Sequence, residues 1–65
     1  MRLNESQLKI ACALKGLTVE RLAELSGISH GTISSVRNGK SCSYNTAVKI
    51  AEALEIDINE IIKEV

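Results

Sequence analysis

The chain has 65 residues, 45% of them hydrophobic, and its eight Lys and Arg are balanced by eight Asp and Glu. A chain of this length makes one domain, residues 1–65, near the lower limit at which burial of apolar area offsets ordering entropy, and leaves no room for a large internal active-site cleft. No apolar run approaches the roughly 20 residues needed to span a bilayer. Cys12 and Cys42, with one His in the chain, do not make a structural zinc site.

Pro, Phe and Trp are absent, Tyr44 is the only aromatic residue, and the apolar content is Leu, Ile, Val and Ala, which favours helices packed on helices. Two lone cysteines in a chain without a secretory signal read as reduced thiols, and the protein as cytoplasmic, with no cofactor. The zero net charge conceals an asymmetry. Residues 1–49 hold seven Lys and Arg against three Glu, residues 50–65 one Lys against five acids, and no acid stands between Ser29 and Lys49. Such a dipolar chain is suited to dock on phosphate by one face, although chance segregation in a small protein would look the same.

The elements follow in chain order from one local device, in which an apolar residue precedes a capping residue and a second apolar residue follows the cap by four. Leu3, Asn4 and Leu8 start a first helix over 4–15, with Gln7 in the capping-box position and Gly16 as its stop. Leu17, Thr18 and Leu22 start a second over 18–25, closed by Gly27. Ile28, Ser29 and Ile33 start a third over 29–38, closed by Gly39. The fourth, 43–54, begins more weakly at Ser43, with Ala47 and Val48 opening its apolar face. Ile56, Asp57 and Ile61 start a fifth over 57–64, where Glu60 completes a capping box. Each is too short to persist alone. A shared core is therefore expected from Leu3, Ile10, Leu14, Leu17, Leu22, Ala23, Ile33, Val36, Val48, Ile50, Ala51, Leu54, Ile58 and Ile61.

Only Ser26, Gly27 and Ile28 separate the second and third helices, so the two must cross steeply, as in a helix-turn-helix. Ala23 supplies the small contact that a close crossing needs, and Ile28 plugs the turn. With Ile33 and Val36 inward, the third helix turns His30, Gly31, Ser34, Ser35 and Arg37 outward. A face of short hydrogen-bonding groups without an acid fits the major groove of DNA, where bulky or anionic side chains are excluded.

The stretch GLTVERLAELSGISHGTISSVRNGK, residues 16–40, resembles the helix-turn-helix of the phage repressor and Cro group, an Xre-like family. The group typically shows an LT-x-x-x-LA start, a G-hydrophobic-S turn, a T-I-S segment and a closing N-G-K. The similarity continues through TAVKIAEALEIDINEII and spans about residues 8–62. It implies an all-α fold, a compact five-helix lambda-repressor-like DNA-binding domain whose second and third helices form the helix-turn-helix. By that resemblance Ser29, His30 and Gly31 lie where the recognition helix first meets base edges, and Ser35 one turn later, with Ser34 beside it. Thr18, Asn38 and Lys40 match positions on the sugar-phosphate backbone, and Thr32 and Arg37 join them as backbone candidates. Four positions depart from the family pattern. Val19 replaces a polar residue, Cys12 and Arg37 replace an Arg and Glu that can pair, and Cys42 replaces a Pro.

The expected function is a sequence-specific transcriptional regulator of double-stranded DNA, a repressor acting as a homodimer on a palindromic operator, nucleoid-associated when bound. The last helix has more apolar residues than one inward stripe uses, which makes Ile58, Ile61, Ile62 and Val65 a dimer seam, unless Ile62 and Val65 only cover the core. Several positions support two readings. His30 is a base or phosphate contact or a solvated first-turn residue, Gly31 a clearance for DNA or a tolerated glycine, and Tyr44 a phosphate contact or a partly buried gap filler. The alternative function is a protein-binding module, such as an antitoxin or anti-repressor, whose acidic last third holds a basic partner. An enzyme is not expected, since no nucleophile stands with a base and no glycine loop cradles phosphate.

Overall fold

A computed structural model describes residues 1–63. Four α-helices, α1 (Glu5–Lys15), α2 (Val19–Ser26), α3 (His30–Arg37) and α4 (Tyr44–Leu54), are followed by one 3-10 turn, Ile58–Glu60. Every helix starts at the predicted cap. The backbone N–H of Gln7 donates to Asn4 Oδ1 (3.0 Å), that of Arg21 to Thr18 Oγ1 (3.1 Å), that of Thr32 to Ser29 Oγ (3.3 Å) and that of Thr46 to Ser43 Oγ (3.2 Å). Each bond satisfies one of the N–H groups that a helix start leaves without an internal acceptor.

The fifth element departs from expectation. Its capping box forms, with Asp57 N–H on Glu60 Oε2 (3.0 Å) and Asn59 N–H on Asp57 Oδ1 (2.8 Å), yet in the described part of the predicted helix over 57–64 there is a single 3-10 turn. A tertiary partner takes the backbone instead. Ile61 C=O accepts from Asn4 N–H (2.6 Å), Lys63 N–H donates to Arg2 C=O (3.0 Å), and Leu3 faces Ile62 in an antiparallel bridge. A helix would have required those same groups to bond along its own axis.

The core also corrects the reading of α1. Leu3, Leu8, Cys12, Leu22, Ile33, Val36, Ala47, Ile50, Ala51, Leu54 and Ile61 are buried. Ile10 and Leu14, expected inside, are 51% and 83% exposed. Two stripes compete on α1, Leu8–Cys12 and Ile10–Leu14, each with the spacing of four that aligns side chains on one helix face. Leu8 and, one turn later, Cys12 join Leu3 in the core, which turns Ile10 and Leu14 out. Leu17, Ala23, Val48 and Ile58, also expected in the core, are half-buried. Ala47, not Val48, is the residue of α4 that is fully enclosed near its start.

Candidate nucleic-acid interface

The turn between α2 and α3 is built by three residues. Gly27 adopts φ 73°, a left-handed conformation that side chains disfavour, and its N–H closes α2 on Ala23 C=O (2.9 Å). Ser26 Oγ donates to Ala23 C=O (3.4 Å) and accepts from Ile28 N–H (3.2 Å), so the corner supplies its own hydrogen bonds. Half-buried Ile28 covers the joint before α3 begins.

Ile33 and Val36 fasten α3 to the core. At 100° per residue the side opposite them is centred on Gly31, Ser34 and Ser35. His30, Gly31 and Thr32 are exposed and Ser34 and Ser35 half-buried, so each is accessible from outside. A Cβ added at Gly31 would meet nothing within 4 Å, so the fold has no need of a glycine there. Ser29 is committed to α3 itself, since its Oγ accepts from Thr32 N–H and donates to Thr32 Oγ1 (2.8 Å). Thr18 accepts at its oxygen from Arg21 and keeps its hydroxyl hydrogen for an outside acceptor.

An acid stands closer to this face than the order of residues along the chain implies. Glu20, in the first turn of α2, places Oε1 3.6 Å from His30 Nε2 across the crossing of the two helices. Both side chains are exposed. Arg37 also differs from its place among the outward residues: it is half-buried, and its Nε is enclosed without a hydrogen-bond partner among the described residues. Its cation lies near enough to Cys12 to favour the thiolate there, against the stronger effect of burial, which raises the Cys12 pKa above its ordinary 9.0. The two departures from the family's Arg and Glu pair are thus neighbours across α1 and α3.

Asn38 and Lys40 are exposed on the segment between α3 and α4. Tyr44 is 63% exposed, which removes the reading of its ring as a filler between helices. Of the residues expected at a dimer seam, Ile61 is buried in the chain's own core and cannot be part of one, Ile58 and Ile62 are half-buried, and Val65 lies outside the described residues. Exposed apolar side chains stand on α1 instead, where Ile10 and Leu14 border a groove with Ile56 and Leu54. Among the described residues no three side chains come together as a metal site, and no helix is long and apolar enough to cross a membrane.

Two helices joined through Gly27, Ile28 and Ser29, each begun by a side-chain cap and the second with a small, accessible face, make a helix-turn-helix. The model of the helix-turn-helix family matches residues 8–61, and the chain belongs to that family, of the Xre and lambda repressor type. A comparison with curated proteins finds no match. The chain is accordingly a DNA-binding helix-turn-helix regulator.

Proposed function

We propose that the chain represses transcription by occupying a palindromic operator as a homodimer, with α3 in the major groove. The observation that carries this reading is the outer side of α3, where Gly31, Ser34 and Ser35 present backbone and hydroxyl groups with no acidic residue on the helix itself. His30, Gly31, Ser34 and Ser35 read base edges, and Ser29 sets the start of the reading helix by capping it. Thr18, Thr32, Asn38 and Lys40 hold the backbone, and Arg37 acts from its half-buried site through its charge. The free N–H groups at the start of α2 add a phosphate contact.

A homodimer is proposed on grounds of reach. The described residues measure 29 × 21 × 18 Å, short of the roughly 34 Å between successive major-groove faces, so one chain reads one half-site. Selection of bound duplex from a random pool tests both claims, since a palindrome with half-sites one turn apart is the expected product. Titration of that duplex against salt is expected to give a slope of about −5 to −7 in log affinity for a dimer that neutralises three or four phosphates per chain. A slope near zero, or one chain per half-site without coupling in sedimentation, contradicts the proposal.

The second reading, a protein-binding module of the antitoxin or anti-repressor kind, is favoured by the exposed Ile10 and Leu14, which belong to neither member of the helix-turn-helix. Co-purification of a tight non-identical partner, lost in Leu14→Glu and without retardation of DNA, would establish it.

A further inference from the structure

The residues assigned above to the DNA backbone come from α2, α3 and the segment that follows α3. The N-terminal segment runs beside that same stretch. Met1 pairs with Cys42 in both directions, C=O accepting from Cys42 N–H (2.7 Å) and N donating to Cys42 C=O (2.9 Å). On its other side Arg2 C=O accepts from Lys63 N–H and Leu3 faces Ile62. Arg2 is therefore held in an ordered strand-like segment, between the α3–α4 connection and residues 61–63, and is not part of a loose tail.

Its side chain is held too. Arg2 Nε donates to Gly39 C=O (3.1 Å), and Gly39 is flanked by Asn38 and Lys40. A guanidinium tethered at Nε still carries four N–H groups on its two terminal nitrogens, arranged as a fork that matches two phosphate oxygens. Arg2 is exposed, and among the described residues no carboxylate lies within 4.0 Å of it. Glu5 is an acid that approaches the same place. Its Oε1 would stand 2.7 Å, and Arg2 Nη2 3.6 Å, from a Cβ placed on Gly39, so both side chains converge on the space that this glycine leaves open. Lys40, Lys63 and the ammonium of Met1 are the other charges beside Arg2, and with Glu5 the five groups together are cationic.

We propose that Arg2 is a phosphate-binding residue of the DNA interface, its guanidinium fixed over the α3–α4 connection by Gly39 so that it extends the backbone contact of Asn38 and Lys40. The inference rests on the DNA-binding reading. Tethering at Nε lowers the freedom that an arginine loses on binding, so the contact does not require a search by a flexible side chain. A contact to phosphate carries no sequence information and acts equally on every duplex.

The test is fluorescence anisotropy of the full chain on two duplexes, one selected by the protein and one of scrambled sequence, between 50 and 300 mM salt, with thermal midpoints recorded in parallel. Arg2→Gln is expected to weaken binding to both by a similar factor, about five-fold at 100 mM salt, and to flatten the salt slope by about 0.9 per chain. Glu5→Gln, which removes the opposing charge, is expected to tighten binding to both about two-fold. Arg2→Gln with the wild-type slope overturns the inference, as does a loss on the selected duplex alone. If Arg2→Gln fails to fold, an unchanged affinity in Glu5→Gln overturns it. A wild-type chain that binds neither duplex overturns the DNA reading itself. A slope that falls in Lys40→Ala and not in Arg2→Gln overturns only the role of Arg2.

Discussion

Replacement of Gly31 by Ala separates the needs of the fold from those of DNA. Gly31 sits in the first turn of α3, outside the glycines that adopt positive φ, and an added methyl group meets nothing within 4 Å. Ala at such a position stabilises a helix by about 0.4 to 1 kcal/mol, because it reduces the freedom of the unfolded chain and adds no clash. For a domain of this size that corresponds to a rise in Tm of about 2 to 8 °C. The effect on DNA has the opposite sign. If a base edge approaches the α-carbon of Gly31, the methyl group displaces it, and loss of one readout position costs about 1 to 3 kcal/mol. That is a five- to 150-fold loss in affinity, at about 1.4 kcal/mol per factor of ten. Circular dichroism melts and anisotropy on the selected duplex measure the two effects on one preparation. A variant that is more stable and binds as tightly refutes the clearance role of Gly31. A variant that melts lower refutes the claim that the fold makes no use of this glycine.

Three further outcomes are expected. Leu8→Ala lowers stability by about 2 to 5 kcal/mol in urea denaturation, because it empties a fully enclosed site, while Leu14→Ala changes it by less than about 0.5 kcal/mol; equal effects would show that the stripe on α1 is wrongly assigned. Glu20→Gln removes the acid beside His30 and tightens DNA binding about two- to three-fold at 100 mM salt, with the gain shrinking as salt rises and screens the charge; weaker binding would mean that Glu20 holds His30 in its reading position. Burial raises the Cys12 thiol above its ordinary 9.0, with Arg37 opposing, so the folded chain holds that proton more tightly than the unfolded one. The stability from this difference is fully present below about pH 9 and is lost as pH rises beyond it. Urea midpoints at pH 8 and pH 10 are expected to fall more in wild type than in Cys12→Ala, and parallel values would exclude the thiol as the cause.

The helix starts and most of the stops were legible because they depend on neighbours in the chain. A cap at Asn4, Thr18, Ser29 or Ser43 bonds an N–H three residues on, and the stops at Gly16 and Gly27 need only a left-handed φ, which glycine adopts without steric cost. The stop of α4 carried no such mark. Glu55 takes φ 57° there without being a glycine, held by N–H bonds to the end of the helix and by its ion pair with Lys15 (3.1 Å).

On α1 two stripes of similar hydrophobicity share one helix, and only packing with the rest of the core, which takes Leu8 and Cys12, decides between them. The small outer side of α3 follows from helix periodicity once Ile33 and Val36 are inward. Arg37, expected outward, is half-buried, and the approach of Glu20 to His30 joins α2 to α3, which a charge count along the chain does not contain.

By itself, then, the order of residues determined the caps, the corner at Gly27 and the family, all of which rest on contacts within a few positions or on a pattern read directly. Tertiary structure alone decided the rest: the 3-10 turn at Ile58–Glu60 and the pairing of Ile61 and Ile62 with Asn4 and Leu3, the outward turn of Ile10 and Leu14, the approach of Glu20 to His30, and the tether of Arg2 on Gly39. Each of these joins segments distant in sequence, and no local propensity specifies which backbone group or charge will be brought opposite another.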